Sequence, residues 1–118
     1  MSRPRKQKEP VLSGYRIVWV IVLFDLPVKE PEERHEYTQF RKALLKDGFD
    51  MMQYSVYMRH CPSEENAAVH IGRVRHALPP EGQVRIMKIT DKQFGRMDVF
   101  WGKLRKKAEQ ASTQLVLF

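Results

Sequence analysis

The chain has 118 residues, 42% of them hydrophobic and 30% charged, which is the make-up of one small globular domain and leaves little room for a second core. Lys and Arg number 21 against 14 Asp and Glu, a net charge of +7 that favours a polyanionic partner, nucleic acid ahead of an anionic membrane surface. The single cysteine, Cys61, excludes a disulfide framework and has no companion at zinc-ligand spacing. The longest apolar run, Ile17 to Phe24, is a strand's length and far short of the roughly 20 residues that span a bilayer. Met1 to Gly14 is basic and polar, without the apolar stretch of a signal peptide, so the expectation is a cytoplasmic protein with no membrane partner.

In chain order, residues 1–14 form a basic N-terminal tail carrying Arg3, Arg5, Lys6 and Lys8. Two readings of it stand equally: a disordered solubilising segment, or an arm that touches phosphates. The domain is expected over 15–118. Tyr15 to Phe24 is rich in β-branched and aromatic residues, the pattern of a strand covered on both faces, or with one face on helices and the other on a partner. It stops at Asp25-Leu26-Pro27, because Pro27 cannot donate to a ladder. Pro31, Glu32 and Glu33 start a helix over 31–47, with Tyr37, Phe40, Leu44 and Leu45 as its apolar stripe and Gly48 as its left-handed cap.

Phe49 to Arg59 alternates with period two, Met52, Tyr54, Val56 and Met58 on one face, and is long for one strand. With no Asn-Gly or Asp-Gly turn inside it, two strands joined by a kink or bulge near Ser55 are expected. Ser63 caps a second helix with Ala67, Ile71, Val74 and Leu78 on one face, ended by Pro79, Pro80 and Gly82. Val84 to Ile89 alternates as a strand. Asp91 to Gly102 has no clean period, Lys103 to Lys107 is a basic run, and the chain ends in the apolar Leu115 to Phe118. Strand, helix, one or two strands, helix and strand around one sheet describe a ferredoxin-like βαββαβ α+β sandwich. The terminal apolar strand, within 112–118, needs an edge to pair with, in this sheet or in that of a second copy.

Among residues that carry chemistry, Asp25 stands out, at the mouth of a rigid apolar strand. Most strand-end aspartates cap a turn, and spacing alone favours that role. A catalytic role needs a metal, and Mg²⁺ is the natural one because it is often held by one or two carboxylates plus water. Two copies of Asp25 across a two-fold axis give such a pair. Glu30, Glu32, Glu33 and Glu36 read as first-turn helix acids, and His35, His60, His70 and His76 as scattered surface or packing residues. Cys61 reads as structural. Basic residues are spread over the whole fold, which suits tracking a phosphate backbone without reading bases. Those expected to face nucleic acid are Arg16, Arg41, Lys42, Lys103, Arg105, Lys106 and Lys107. The aromatic motif of an RNA-recognition sheet is missing.

Leu23-Phe24-Asp25-Leu26-Pro27, Glu32-Glu33-Arg34, Phe40-Arg41-Lys42, Leu44-Leu45, Gly48-Phe49 and Gln53 to Tyr57 together resemble the small CRISPR-associated adaptation protein family, Cas-two. Ile89-Thr90-Asp91-Lys92-Gln93-Phe94, continuing to Arg96-Met97, is similar to the version found in type II systems. The resemblance runs from about Tyr15 to Phe118. It implies a ferredoxin-like fold and a two-fold homodimer in which each C-terminal strand adds to the partner's sheet. It also implies a metal-dependent endonuclease on RNA or double-stranded DNA, with Asp25 in the metal-ligand position. A further implied role bridges the CRISPR integrase and holds duplex protospacer DNA during spacer acquisition. The residues favour this adaptor role, having many phosphate-binding candidates and one carboxylate per chain at the metal position. The alternative outside the family is an unrelated ferredoxin-like RNA-binding or regulatory module without nuclease activity.

Overall fold

The computed structural model describes residues 17–109. Within them the order is β1 (Val18–Asp25), α1 (Pro31–Lys46), β2 (Asp50–Gln53), β3 (Val56–Cys61), α2 (Glu64–His76), β4 (Gln83–Thr90), α3 (Asp91–Gly95), β5 (Val99–Trp101) and β6 (Leu104–Lys106). The first four strands form one antiparallel sheet in the order β2-β3-β1-β4, the strand–helix–strand–strand–helix–strand sandwich expected of a ferredoxin-like fold. β1 is central, which is why its hydrophobicity is continuous: Val18, Val20, Val22 and Phe24 face one side, Ile17, Trp19 and Ile21 the other, and nearly all are buried. The C-terminal strand expected in 112–118 and the tail over 1–14 lie outside the described residues.

The first face is closed by α1 and α2. Phe40 and Leu44 from α1, Ala67 and Val74 from α2, and Phe49, Tyr57 and Cys61 join the even-numbered residues of β1 in one apolar core. The stripe of α1 is narrower than its sequence suggests, since Leu45 points outward and only Tyr37, Phe40 and Leu44 pack inward. Glu33 caps the start of α1 by accepting the backbone N–H of Glu30 and of Lys29, each at 2.9 Å, and Ser63 caps α2 by accepting from the Asn66 N–H at 3.0 Å. Asp47 bolts the two helices together. Its carboxylate accepts from His70 Nδ1 at 2.8 Å and from Arg73 Nη1 at 2.7 Å, both on α2, while its carbonyl accepts from Arg59 Nε at 2.8 Å. Gly48 follows at φ +88, and a Cβ there would press on the Arg59 guanidinium at 3.2 Å.

The second face is thinner. Ile17, Trp19, Ile21 and Met58 are covered by α3, whose Phe94 stacks on Trp19 with ring centroids 3.8 Å apart and planes 8° from parallel. Trp19 Nε1 donates to Asp91 Oδ1 at 2.7 Å. α3 exists because Thr90 and Gln93 form a reciprocal capping box, with side-chain-to-backbone bonds of 3.0 and 2.9 Å.

Two elements depart from expectation. The long run from Phe49 to Arg59 divides into two strands near Ser55 as expected, but the junction is a tight hairpin turn, with Gln53 opposite Val56 and a register shift between Met51 and Gln53. Ser55 takes φ 64 without being Gly or Asn. Tertiary contacts hold it there: the Phe24 N–H donates to the Ser55 carbonyl at 3.0 Å, and the Tyr37 and Ser55 hydroxyls meet at 3.4 Å. Tyr54 therefore sits at an exposed tip rather than on a strand face. Further on, the aperiodic stretch and the basic run resolve into α3 and a separate two-stranded hairpin, β5–β6, turned at Gly102 with φ +64.

Candidate metal and nucleic-acid site

Residue alternation along β1 puts Asp25 on the second face, the one α3 covers only in part. Its carboxylate is exposed and makes no hydrogen bond or ion pair among the described residues, so it does not serve as a turn cap. β4 supplies its neighbours. Gln83 stands directly opposite Asp25 and Arg85 opposite Leu23, with Arg85 Nε donating to Gln83 Oε1 at 3.3 Å. A carboxylate with free lone pairs, an amide and a guanidinium thus share one corner of an open sheet. Sequence reading did not single out Gln83 or Arg85 for this corner; only the antiparallel β1–β4 pairing brings them there.

Gly82 holds that corner shut. It sits at φ +101, and a Cβ on it would lie 2.6 Å from Leu26 Cδ2 and 3.0 Å from the Asp25 carbonyl oxygen. Glycine is required twice over, by the left-handed backbone and by the close approach. Beyond Asp25 the same face carries half-buried Leu23, Met52 and Val56 and the exposed Met87. This is a half-covered apolar strip with a carboxylate at one end.

The four acids of early α1 do not join Asp25. Glu33 caps the helix, and with Glu30, Glu32, Glu36 and Glu81 it lines a separate cleft of about 310 Å³ floored by Leu26, Pro27, Tyr37, Pro79 and Pro80. Walls of one negative sign repel phosphate, so nucleic acid is not expected in it. Among the described residues no group of three or more His, Cys, Asp and Glu is placed to hold a metal ion. At the Asp25 corner the described residues of one chain therefore offer a single free carboxylate. That fits a hydrated Mg²⁺, which keeps several waters, and does not fit an all-protein cage.

Two of the four histidines, His70 and His60, are packing residues. His70 is buried against Asp47. His60 packs edge-on to Trp19 at 5.4 Å, its Nε2 buried without a partner, and burial holds its pKa below the ordinary value despite the Asp91 charge. The Cys61 thiol is buried and pushed up by that burial, which makes it inert. Asp47 is the opposite case. Burial opposes its charge, but the hydrogen bonds from Arg73 and His70, with their charges, outweigh that and hold its carboxyl below the usual range. The sequence does not reveal this pairing, because Asp47 and His70 are 23 positions apart.

The expected nucleic-acid contacts fall into groups. Arg16 lies outside the described residues. Arg41 and Lys42 are exposed on α1. Lys103, Arg105, Lys106 and Lys107 are exposed on and beside β6, whose base (Met97 and Ala108) packs on the second face. The two sets belong to elements on opposite sides of the sheet and do not merge into one patch. Arg105 is paired with Asp98, and Lys106 Nζ lies 4.8 Å above the Trp101 ring.

This chain matches the family model described as CRISPR associated protein Cas2 over residues 18–97, from β1 to just past α3. The chain belongs to the Cas2 family of CRISPR adaptation proteins. It is 50% identical over 107 residues to the CRISPR-associated endoribonuclease Cas2 of Flavobacterium psychrophilum, covering 91% of this chain and 93% of that one. It is 54% identical over 101 residues to the protein of the same name from Parvibaculum lavamentivorans, 86% of this chain and 100% of the relative. With that of Paracidovorax avenae it shares 45% over 108 residues, 92% and 100% of the two chains. The Cas2 match takes in Asp25, Gln83, Gly82 and Arg85. Among the described residues no helix is long and apolar enough to cross a membrane.

Proposed function

We propose that this Cas2 protein acts in the cytoplasm as a homodimeric, duplex-DNA-binding component of the CRISPR integrase complex during spacer acquisition. In this reading Asp25 also provides a Mg²⁺-dependent phosphodiesterase centre acting on RNA or double-stranded DNA. The observation that carries it is the exposed, unpartnered Asp25 at the end of a half-covered apolar sheet face. A second copy laid on that face buries the apolar strip and brings a second carboxylate to the first, the pair that one chain lacks. Mg²⁺ bound there supplies Lewis-acid polarisation of a phosphodiester and an acidified water. Asp25 holds the ion through its free oxygens, Arg85 is near enough in the sheet to face a phosphate oxygen, and Gln83 keeps Arg85 oriented. Gly82 fixes the strand end on which Asp25 stands. The exposed cations Arg41, Lys42, Lys103 and Lys107, with Arg16 at the start of the domain, supply sequence-blind contacts to the duplex backbone. The relatives' name, endoribonuclease, fits the hydrolytic half of this reading.

The test is cleavage of single-stranded RNA and linear duplex DNA by wild type and Asp25→Ala, with Mg²⁺ or EDTA, alongside duplex binding and sedimentation. Cleavage lost in both EDTA and the variant, with binding and dimer retained, is the expected result. If neither protein cuts while both bind duplex as dimers, the adaptor role stands alone. Equal cutting by both removes Asp25 from the chemistry.

A further inference from the structure

We propose that the β5–β6 hairpin is a single-strand-binding element in which Trp101 stacks on an unpaired nucleobase while the cations beside it hold the flanking phosphates. This rests on the nucleic-acid reading above and extends it with a base-stacking residue and a preference for unpaired nucleotides.

The hairpin exposes three large apolar side chains within five residues: Phe100 at 58%, Trp101 at 68% and Leu104 at 64%. A hairpin of two three-residue strands is marginal on its own. This one is anchored where Met97 and Ala108 pack against the Trp19–Phe94 cluster, so its tip stands on a fixed base. Trp101 pairs with Leu104 across the Gly102–Lys103 turn, which places the indole at the tip.

Around the hairpin cations outnumber acids. Lys103, Arg105, Lys106 and Lys107 lie within six residues of Trp101; of the two acids close by, Asp98 is paired with Arg105, and Glu109 shares a cleft with Arg105, Lys106 and Lys107. Lys106 Nζ covers one face of the indole at 4.8 Å, so a base stacks on the opposite face, or on this one once Lys106 swings out to the phosphate. An aromatic plate on a cation-rich hairpin is complementary to a nucleotide with its base unstacked: a flat π-face joined to a phosphate. Interior base pairs of a duplex hide those faces in their own stack, leaving only the cations to bind it. A protein partner is the poorer match, because the centres of protein interfaces are depleted of the charges that crowd this plate.

Fluorescence reads the stacking directly, since the chain has two tryptophans and Trp19 is fully buried. The full-length protein is titrated with a short oligothymidylate and, separately, with duplex DNA of the same length. Oligothymidylate is expected to quench Trp101. Trp101→Leu, which keeps the apolar contact without the π-face, is expected to weaken single-strand binding about 5- to 100-fold while duplex affinity stays within about 2-fold. Trp101→Phe restores most of the loss. Because Trp101 is exposed, circular dichroism and melting should match wild type for both variants. Single-strand binding without quenching, or undiminished binding by Trp101→Leu while duplex still binds, overturns the stacking role and leaves the proposed function intact. A change in sedimentation of Trp101→Leu in place of a change in single-strand affinity overturns it in favour of a protein contact. Failure of wild type to bind either nucleic acid overturns both readings.

Discussion

The two faces of the central sheet are built from the same strand and finished in different ways. One carries two full helices, caps at both helix starts and a carboxylate bolt, and its core runs without interruption from Val18 to Leu26. The other carries one helix of five residues and a hairpin, and it leaves Leu23, Met52, Val56 and Met87 partly open beside Asp25. A chain that closes one side so completely has no shortage of apolar residues for the other. Among the described residues the second face is left partly open, where the proposed function places a second copy, and the first face holds the larger core. The difference is testable, because damage to the first face should unfold the domain and damage to the second should not.

The largest effect is expected at Phe40, buried under α1. Phe40→Ala should cost about 3–5 kcal/mol in urea unfolding, a large part of a small domain's stability. Phe94→Ala removes an equally buried ring from the second face. It should release α3 and expose Trp19, seen as a red shift in fluorescence, while helical circular dichroism survives. Loss of all structure in both variants would make the faces one cooperative unit.

Next comes Asp47. Asp47→Ala strands buried His70 and removes the link between α1 and α2, for an expected loss of about 2–3 kcal/mol. Most of it belongs to His70, because Arg73 is largely exposed and its share is screened. The pH dependence has the same sign for Asp47 and His60. Both are held below their ordinary pKa, so their contribution is fully present above the unfolded value and is lost as pH falls towards the folded one. Stability should decline first below about pH 6.5, as His60 of the unfolded chain takes a proton, and again below about pH 4, as Asp47 of the unfolded chain does. His60→Gln removes the first decline and Asp47→Asn the second. A stability that rises on acidification would contradict both assignments.

What was legible in the sequence follows from what each feature depends on. β1, α1, α2 and β4 announce themselves through local periodicity, and Pro27, Ser63 and Gly48 mark ends by their own backbone chemistry, so the sandwich could be read directly. Asp25 was legible as a strand end. Its surroundings were not, because Gln83 and Arg85 reach it only through strand pairing. The hairpin at Tyr54–Ser55 escaped because its positive φ rests on Tyr37 and Phe24, not on a glycine. α3 carried a readable signal in Thr90-Asp91-Lys92-Gln93, a capping box whose helix is too short to show a period. The Asp47–His70–Arg73 bolt joins residues 23 and 26 positions apart and exists only once the helices dock.

Gly82→Ala tests how tightly the open face is held at Asp25. With φ +101 and the Leu26 side chain 2.6 Å from the new Cβ, the variant should lose more than about 1 kcal/mol. It should also lose metal-dependent cleavage out of proportion to that loss, because the clash moves the backbone on which Asp25 stands. Cleavage that merely follows the folded fraction would confine Gly82 to a structural role.

The smallest effects separate two cations on the same hairpin. Arg105 is exposed and paired with exposed Asp98, while Lys103 has no ion pair among the described residues. An exposed pair contributes at most about 0.5 kcal/mol, so neither Arg105→Ala nor Lys103→Ala should change the melting point measurably. Duplex binding should distinguish them. Lys103→Ala removes a free counter-charge and should lower the slope of log affinity against log salt by about 1. Arg105→Ala leaves Asp98 uncompensated, a like charge facing the phosphates, so affinity falls while the free arginine contact it removes is only partial. Asp98→Asn distinguishes the causes: if it strengthens binding, Arg105 is held back by its partner, and if it has no effect, Arg105 leaves Asp98 for the phosphate once nucleic acid arrives.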